Sequence, residues 1–89
     1  LLDTSAANIE RVTAKLRTLE GNVPTLNSIE VGTNVVVSER AYDVGIVTRF
    51  DDLAAMKAYQ VYPFHQDVLA FMKTVMETAV SIDYESEIA

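Results

Sequence analysis

Residues 39–65, ERAYDVGIVTRFDDLAAMKAYQVYPFH, contain the clearest structural pattern in the chain. Alternate residues in the stretch 42–50 are mostly apolar, which predicts a strand with one buried face. Asp51-Asp52 ends that strand and can cap the helix that we predict from Leu53 to about Val61. Pro63 interrupts the helical pattern because proline lacks the backbone N–H that a helix interior needs. The segment therefore predicts a strand, a capped helix and a turn that leads to the only histidine.

The flanking sequence predicts two more helices and two more strands. Apolar side chains at steps of three and four residues predict a first helix over residues 5–20. Alternation predicts a strand within residues 26–34, and helical spacing returns over residues 64–77. A last strand is predicted over residues 79–85, where apolar and polar residues alternate again. Residues 86–89 show no periodic pattern, and we expect them to fray.

The predicted order is helix, strand, strand, helix, strand, with Pro63 dividing the second helical region. This order predicts the α+β class, and it is a ferredoxin-like sandwich, β-α-β-β-α-β, without the first strand. The first strand of that topology is central and pairs with two others. Without it, two apolar strand edges would have unpaired backbone groups. We therefore expect a further strand of about eight to ten residues before Leu1 in the native chain.

Length and composition restrict the classes of function. Eighty-nine residues make one domain, residues 1–89, whose own core is small enough that oligomerisation would stabilise it. Seven basic and 13 acidic residues disfavour nucleic acid and anionic membrane surfaces, since both are bound by clustered Lys and Arg. No apolar run approaches the ~20 residues of a membrane helix. The lack of cysteine fits a reducing, cytoplasmic compartment.

Metal and cofactor sites are not predicted from the residue types present. One histidine, no cysteine and scattered carboxylates provide no spacing typical of metal ligands. The chain has no glycine-rich phosphate loop and no serine–histidine–acid arrangement. We therefore expect neither a metal nor a cofactor.

Several short motifs follow one another along residues 3–84 in an order that is more specific than any one of them. They are Pro24, Ile29-Glu30-Val31-Gly32, Ser38-Glu39-Arg40, Tyr42-Asp43, Phe50-Asp51, Tyr59 through Pro63 to His65, and Ile82-Asp83-Tyr84. In this order they resemble the stress-responsive A/B barrel family, also called the dimeric A/B barrel. The resemblance implies a homodimer in which two four-stranded sheets face each other as an α/β barrel, with the helices outside.

The residues also predict self-association without the resemblance. Val35, Val36 and Val37 are consecutive, so they cannot all point into one small core, and part of this run must be exposed in a monomer. The face of the sheet that carries Val47 is half apolar, which suits a partner sheet better than water. We expect these four valines to lie in the interface of a homodimer.

The resemblance further implies a catalytic pair. In family members that are similar to plant polyketide cyclases, a histidine is the general base for an intramolecular aldol step and a tyrosine orients the substrate or base. Tyr59 and His65 have the spacing of that pair, although Tyr62 stands where many relatives have a histidine and the first-strand histidine of these enzymes is not seen. The pocket between sheet and helices would be lined by Val12, Leu16, Val44, Ile46, Val68 and Met76.

Three functions remain open from the sequence. The first is a small stress-responsive A/B barrel homodimer of undetermined biochemical role that binds a small apolar or aromatic ligand between sheet and helices. The second is a cyclase- or isomerase-like enzyme that uses His65 as general base with Tyr59. The third is a structural oligomer, in which Tyr59 is a core aromatic and His65 packs or bonds to a neighbouring backbone group.

Overall fold

A computed structural model of the protein describes residues 1–86. The elements in this range agree closely with those predicted up to residue 75. The helix α2 has the predicted bounds, and α3 begins one residue earlier than expected, at the proline. The elements are α1 (Ala6–Arg17), β1 (Ser28–Thr33), β2 (Val44–Arg49), α2 (Leu53–Val61) and α3 (Pro63–Val75).

The helix α1 begins and ends through local signals. The Ser5 hydroxyl accepts the backbone N–H of Asn8, which satisfies one of the free donors at the start of the helix. Lys15 and Arg17 lie in the last turn, where a positive charge is favourable beside the exposed carbonyls. Gly21 has a φ of 77°, a left-handed conformation that glycine adopts without the steric cost of a Cβ. The chain therefore turns back after α1 toward β1.

The strands β1 and β2 form an antiparallel hairpin, and α1 packs on β1. Val31 lies opposite Ile46, and Gly32 lies opposite Gly45. Residues that face each other across two strands share one face of the sheet. Val31 and Ile46 are therefore on the face toward the helices, as predicted. Gly32 and Gly45 are on the opposite face, which we call the outer face.

The break between α2 and α3 occurs at Pro63, as predicted. The Asp52 carboxylate accepts the N–H of Ala55 at 2.8 Å and so caps α2. At the other end, the Tyr62 N–H bonds to the Tyr59 carbonyl, and Pro63 then occupies the first position of α3. Proline is favoured at this position because its missing N–H would have no helical partner there.

Removal of the α2 cap gives a first testable prediction. Asp52→Ala should lower the free energy of unfolding by about 1 kcal/mol, because the Ala55 N–H loses its acceptor. Asp52→Asn is the matched control, since asparagine caps helices about as well as aspartate. Urea denaturation of the two variants checks this. Equal losses of stability in both would show that the charge, rather than the cap, is what matters.

The core lies between α1, α3 and the inner face of the hairpin. Its most buried side chains come from α1, from the turn after it and from α3, and Tyr59 joins them from α2. Partly buried residues of both strands pack against this cluster. The buried apolar residues are Val12, Leu16, Leu19, Val23, Leu26, Tyr59, Val68 and Val75.

The prediction of a last strand over residues 79–85 is wrong. Residues 78–86 form neither helix nor strand, and the side chains of Val80, Ile82 and Tyr84 are largely exposed. A strand needs a neighbour for its N–H and C=O groups. Within residues 1–86, β1 and β2 pair only with each other, and no strand precedes α1 to supply the central edge. The alternating pattern is present, but it has no partner to pair with.

Apart from Ser86, the predicted fraying of residues 86–89 lies outside the described residues. Among residues 1–86, no helix combines the length and the apolar character required to cross a bilayer.

Candidate functional site

The structure brings Tyr59 and His65 into direct contact. Tyr59 lies near the end of α2 and His65 in the first turn of α3, and the centroids of their rings are 4.2 Å apart with an angle of 43° between the ring planes. Tyr59 also contacts Phe50, with ring centroids 4.9 Å apart. Tyr59 thus contacts one ring that follows β2 and another in the first turn of α3.

A hydrogen bond at the end of α2 orients the His65 ring. Its Nδ1 lies 3.1 Å from the carbonyl oxygen of Gln60. A carbonyl can only accept, so Nδ1 carries the proton, and the neutral ring has its lone pair on Nε2. The side-chain amide of Gln66 donates to the same carbonyl. Carbonyls in the last turn of a helix lack helical partners, and these two side chains therefore satisfy Gln60.

The hydroxyl of Tyr59 has a restricted chemical role. The side chain is 7% exposed, and burial raises the pKa of its phenol above the ordinary value of 10.0. The phenol therefore stays neutral near pH 7 and can donate a hydrogen bond, but it does not act as a base. Within residues 1–86 this hydroxyl makes no hydrogen bond.

The residues predicted to line a pocket between sheet and helices lie in different environments. Val12, Leu16 and Val68 are buried in one packed cluster with Tyr59, and Val44 packs against that cluster. Ile46 is on the same face of β2 as Val44, but it is exposed. Met76 is partly buried just after α3. The structure thus gathers Val12, Leu16, Val44, Tyr59 and Val68, and it separates Ile46 and Met76 from them.

An open groove lies along the hairpin, away from Tyr59 and His65. Its volume is about 470 Å³. We call it the hairpin groove, and its lining includes Glu30, Gly32, Tyr42, Val44, Gly45 and Val47. The sequence predicted Val44 and Val47 as site residues, but it did not single out the glycines or Glu30. The available signal was a glycine inside each of two strands, one residue from the end of the strand.

A second groove, of about 500 Å³, lies at the start of α1. Its lining includes Thr4, Glu10, Asn34, Val37 and Asp43, and neither Tyr59 nor His65 belongs to it. The carboxylates present do not gather into a metal site, because residues 1–86 contain no group of three or more His, Asp or Glu at ligand spacing.

The valine run between β1 and β2 is on the surface. Val35, Val36 and Val37 are 91%, 69% and 96% exposed, and we call these three residues the valine patch. The side-chain amide of Asn34 donates to the carbonyl of Val36 at 2.8 Å. This hydrogen bond ties the chain that carries the patch to the end of β1.

Comparison with known proteins gives the same fold and a family. A solved structure, a dimeric ferredoxin-like protein of unknown function from Jannaschia sp. CCS1, has a TM-score of 0.55 and 29% sequence identity to this chain. The similarity covers 74% of this chain and 66% of that one, so the chain spans just under two thirds of the Jannaschia protein. A search of curated proteins finds no significant match.

The fold is therefore α+β and ferredoxin-like, as predicted. The family description that matches is the stress responsive A/B barrel domain, a dimeric α/β barrel, and the match extends over residues 2–86. It includes the hairpin, the Tyr59–His65 pair and the valine patch. This chain belongs to the stress-responsive A/B barrel domain family.

Proposed function

We propose that this protein is a homodimer that binds a small apolar or aromatic ligand. The observation that carries the proposal is the exposure of the valine patch. Burial of one valine side chain is worth roughly 1.5–3 kcal/mol relative to leaving it in water. A second copy would cover the patch, and the Jannaschia relative is described as dimeric. A cytoplasmic location is part of the proposal, since the chain has no cysteine.

The charge of the chain favours an apolar interface. Each copy carries a net charge of −6, so two copies repel each other at long range. Short-range burial of apolar surface must outweigh that repulsion. Val47, which we also predicted in the interface, is exposed on the outer face of β2. The proposed interface therefore includes the valine patch and the outer face around Val47.

The hairpin groove supports the ligand part of the proposal. Its volume of about 470 Å³ falls within the range of ~300–1,000 Å³ that is typical of small-molecule sites. Its lining includes Val31 and Val44 from the inner face and Glu30, Gly32, Gly45 and Val47 from the outer face. A second copy packed against that face would enclose it and remove a bound ligand from water. The dimer and the ligand site are thus linked in this proposal.

The dimer gives a second testable prediction. At micromolar concentration the wild type should sediment with twice the chain mass of 9.8 kDa. Val36→Glu should sediment as a monomer and lose stability, because the substitution would force a carboxylate into the apolar interface. The matched control is Val61→Glu on α2, since Val61 is 73% exposed and lies outside the proposed interface. A wild type that sediments as a monomer would contradict the proposal.

A second candidate function is a cyclase- or isomerase-type enzyme with His65 as general base and Tyr59 as the group that orients the substrate. The specific observation in its favour is the Nδ1–Gln60 hydrogen bond, which leaves the Nε2 lone pair available for proton abstraction. The neutral phenol of Tyr59, next to the imidazole, suits the orienting role. The substrate class would be a linear polyketone that closes a ring by an aldol step.

A further inference from the structure

Gly32 and Gly45 occupy directly opposite positions on the outer face, in the lining of the hairpin groove. Neither glycine has a positive φ, so the backbone conformation does not require glycine at either position. A Cβ added at either residue would meet no atom within 4 Å. Nothing within the described part of the chain therefore explains why both positions lack a side chain.

Each glycine lies inside its strand, one residue from the end. Glycine inside a strand weakens it, because its backbone loses more conformational freedom on folding and it has no side chain to pack. Strand glycines often occur where a ligand or another backbone approaches closely. Two of them in register expose an uninterrupted strip of peptide groups. This strip, which we call the glycine floor, can contact a flat molecule across its whole width.

The walls of the groove indicate the chemistry of that molecule. Glu30 lies on the outer face opposite Val47, two residues before Gly32. Glu30 forms no ion pair within residues 1–86, so its carboxylate is available as an acceptor. Tyr42, on the other side of the glycine floor, is exposed and contributes an aromatic ring. A floor of backbone, an aromatic ring and a free carboxylate suit a planar ligand that has a hydrogen-bond donor.

We propose that the hairpin groove binds a planar aromatic molecule that lies on the glycine floor and donates a hydroxyl or amino hydrogen to Glu30. This inference rests on the proposed ligand-binding function and specifies its site and ligand class. The Tyr42 ring and the Val47 side chain contact the ligand beside the floor. Anionic aromatics are excluded, because their charge would lie beside the Glu30 carboxylate.

Titration calorimetry with two probes of similar size tests whether the ligand donates a hydrogen bond to Glu30. The probes are 2-naphthol, which has a hydroxyl, and 2-methoxynaphthalene, which has none. The wild-type protein should bind 2-naphthol about tenfold more tightly, the difference expected for one hydrogen bond to a charged group. Glu30→Gln should remove most of that preference and leave the affinity for 2-methoxynaphthalene unchanged.

Gly45→Val tests the glycine floor with the same probes. The added side chain should lower the affinity for both probes more than tenfold, while the sedimentation mass and the folded state remain those of the wild type. The fold should tolerate it, since the space around a Cβ at Gly45 is empty. Ser28→Val is the matched control, because Ser28 is on the outer face of β1 but outside the groove.

Three results would overturn the inference. Unchanged binding of both probes to Gly45→Val and Glu30→Gln would place the ligand elsewhere and leave the proposed function standing. A Gly45→Val protein that sediments as a monomer, while the wild type sediments as a dimer, would show that the glycines serve contact between the two copies and not ligand binding. No binding of either probe to the wild type would overturn both this inference and the ligand part of the proposed function.

Discussion

Tyr59→Ala should lower the free energy of unfolding by about 3–5 kcal/mol, the cost that is usual when a buried aromatic ring is removed. The Tyr59 side chain is 7% exposed and contacts the Phe50 and His65 rings. Its removal would leave a cavity where α2, α3 and the end of β2 meet. Small domains are stable by only about 5–15 kcal/mol, so this loss should be visible as a large shift of the urea midpoint.

Tyr59→Phe is the control for that experiment, because it keeps the ring and removes only the hydroxyl. The hydroxyl makes no hydrogen bond within residues 1–86, so the loss of stability should stay below about 1 kcal/mol. If Tyr59→Ala is as stable as Tyr59→Phe, the ring does not belong to the core.

The stability of the wild type and of Tyr59→Phe should depend differently on pH. Burial raises the pKa of the Tyr59 phenol, so the unfolded chain releases this proton at a lower pH than the folded protein does. The unfolded state then binds fewer protons, and stability falls as pH rises. The contribution is complete below the unfolded pKa of about 10 and is lost as pH rises through the folded pKa. Urea denaturation on either side of pH 10 should show a steeper loss in the wild type than in Tyr59→Phe.

His65→Ala separates the enzymatic function from the structural one. If His65 is a general base, the substitution should lower the rate of ring closure of a linear polyketone by ~10²–10⁴. It also removes the hydrogen bond to the Gln60 carbonyl and the contact with the Tyr59 ring. The loss of this hydrogen bond and ring contact should lower the free energy of unfolding by about 1 kcal/mol. Turnover and urea denaturation measure the two effects separately.

Gln66→Ala is the matched control, because Gln66 donates to the same carbonyl but cannot serve as a base. It should lose a similar amount of stability and keep its turnover. If both variants lose stability equally and the cyclisation rate does not depend on His65, the imidazole only provides a hydrogen bond to the Gln60 carbonyl at the end of α2. In that case the enzymatic candidate is wrong, and the ligand-binding proposal is unaffected.

The sequence determined the local structure well. The bounds of α2, a cap from Asp51-Asp52 and the break at Pro63 were predicted from the residues themselves, and the structure assigns the cap to Asp52. The faces of β2 were also predicted correctly from period-two alternation. Tyr59 and His65 come together for the same local reason, since a helix end, a proline and a helix start separate them by only six residues. Each of these features depends on interactions between residues that are close along the chain.

The tertiary structure decided the features that depend on contacts between residues far apart in the sequence, namely core packing and strand pairing. Val12, Leu16 and Val68 were predicted to face inward, but only packing showed that they belong to one cluster with Tyr59. The alternation in residues 79–85 predicted a strand, and the strand is absent because no neighbouring edge accepts its hydrogen bonds within residues 1–86.

The glycine floor is another example of such dependence. Gly32 and Gly45 are 13 positions apart in the sequence, and only the register of the hairpin places them opposite each other. Helix caps, proline breaks and alternation arise from the backbone and near neighbours, so they can be predicted from short stretches of sequence. Strand pairing and core packing depend on which distant segments meet, which no short stretch specifies.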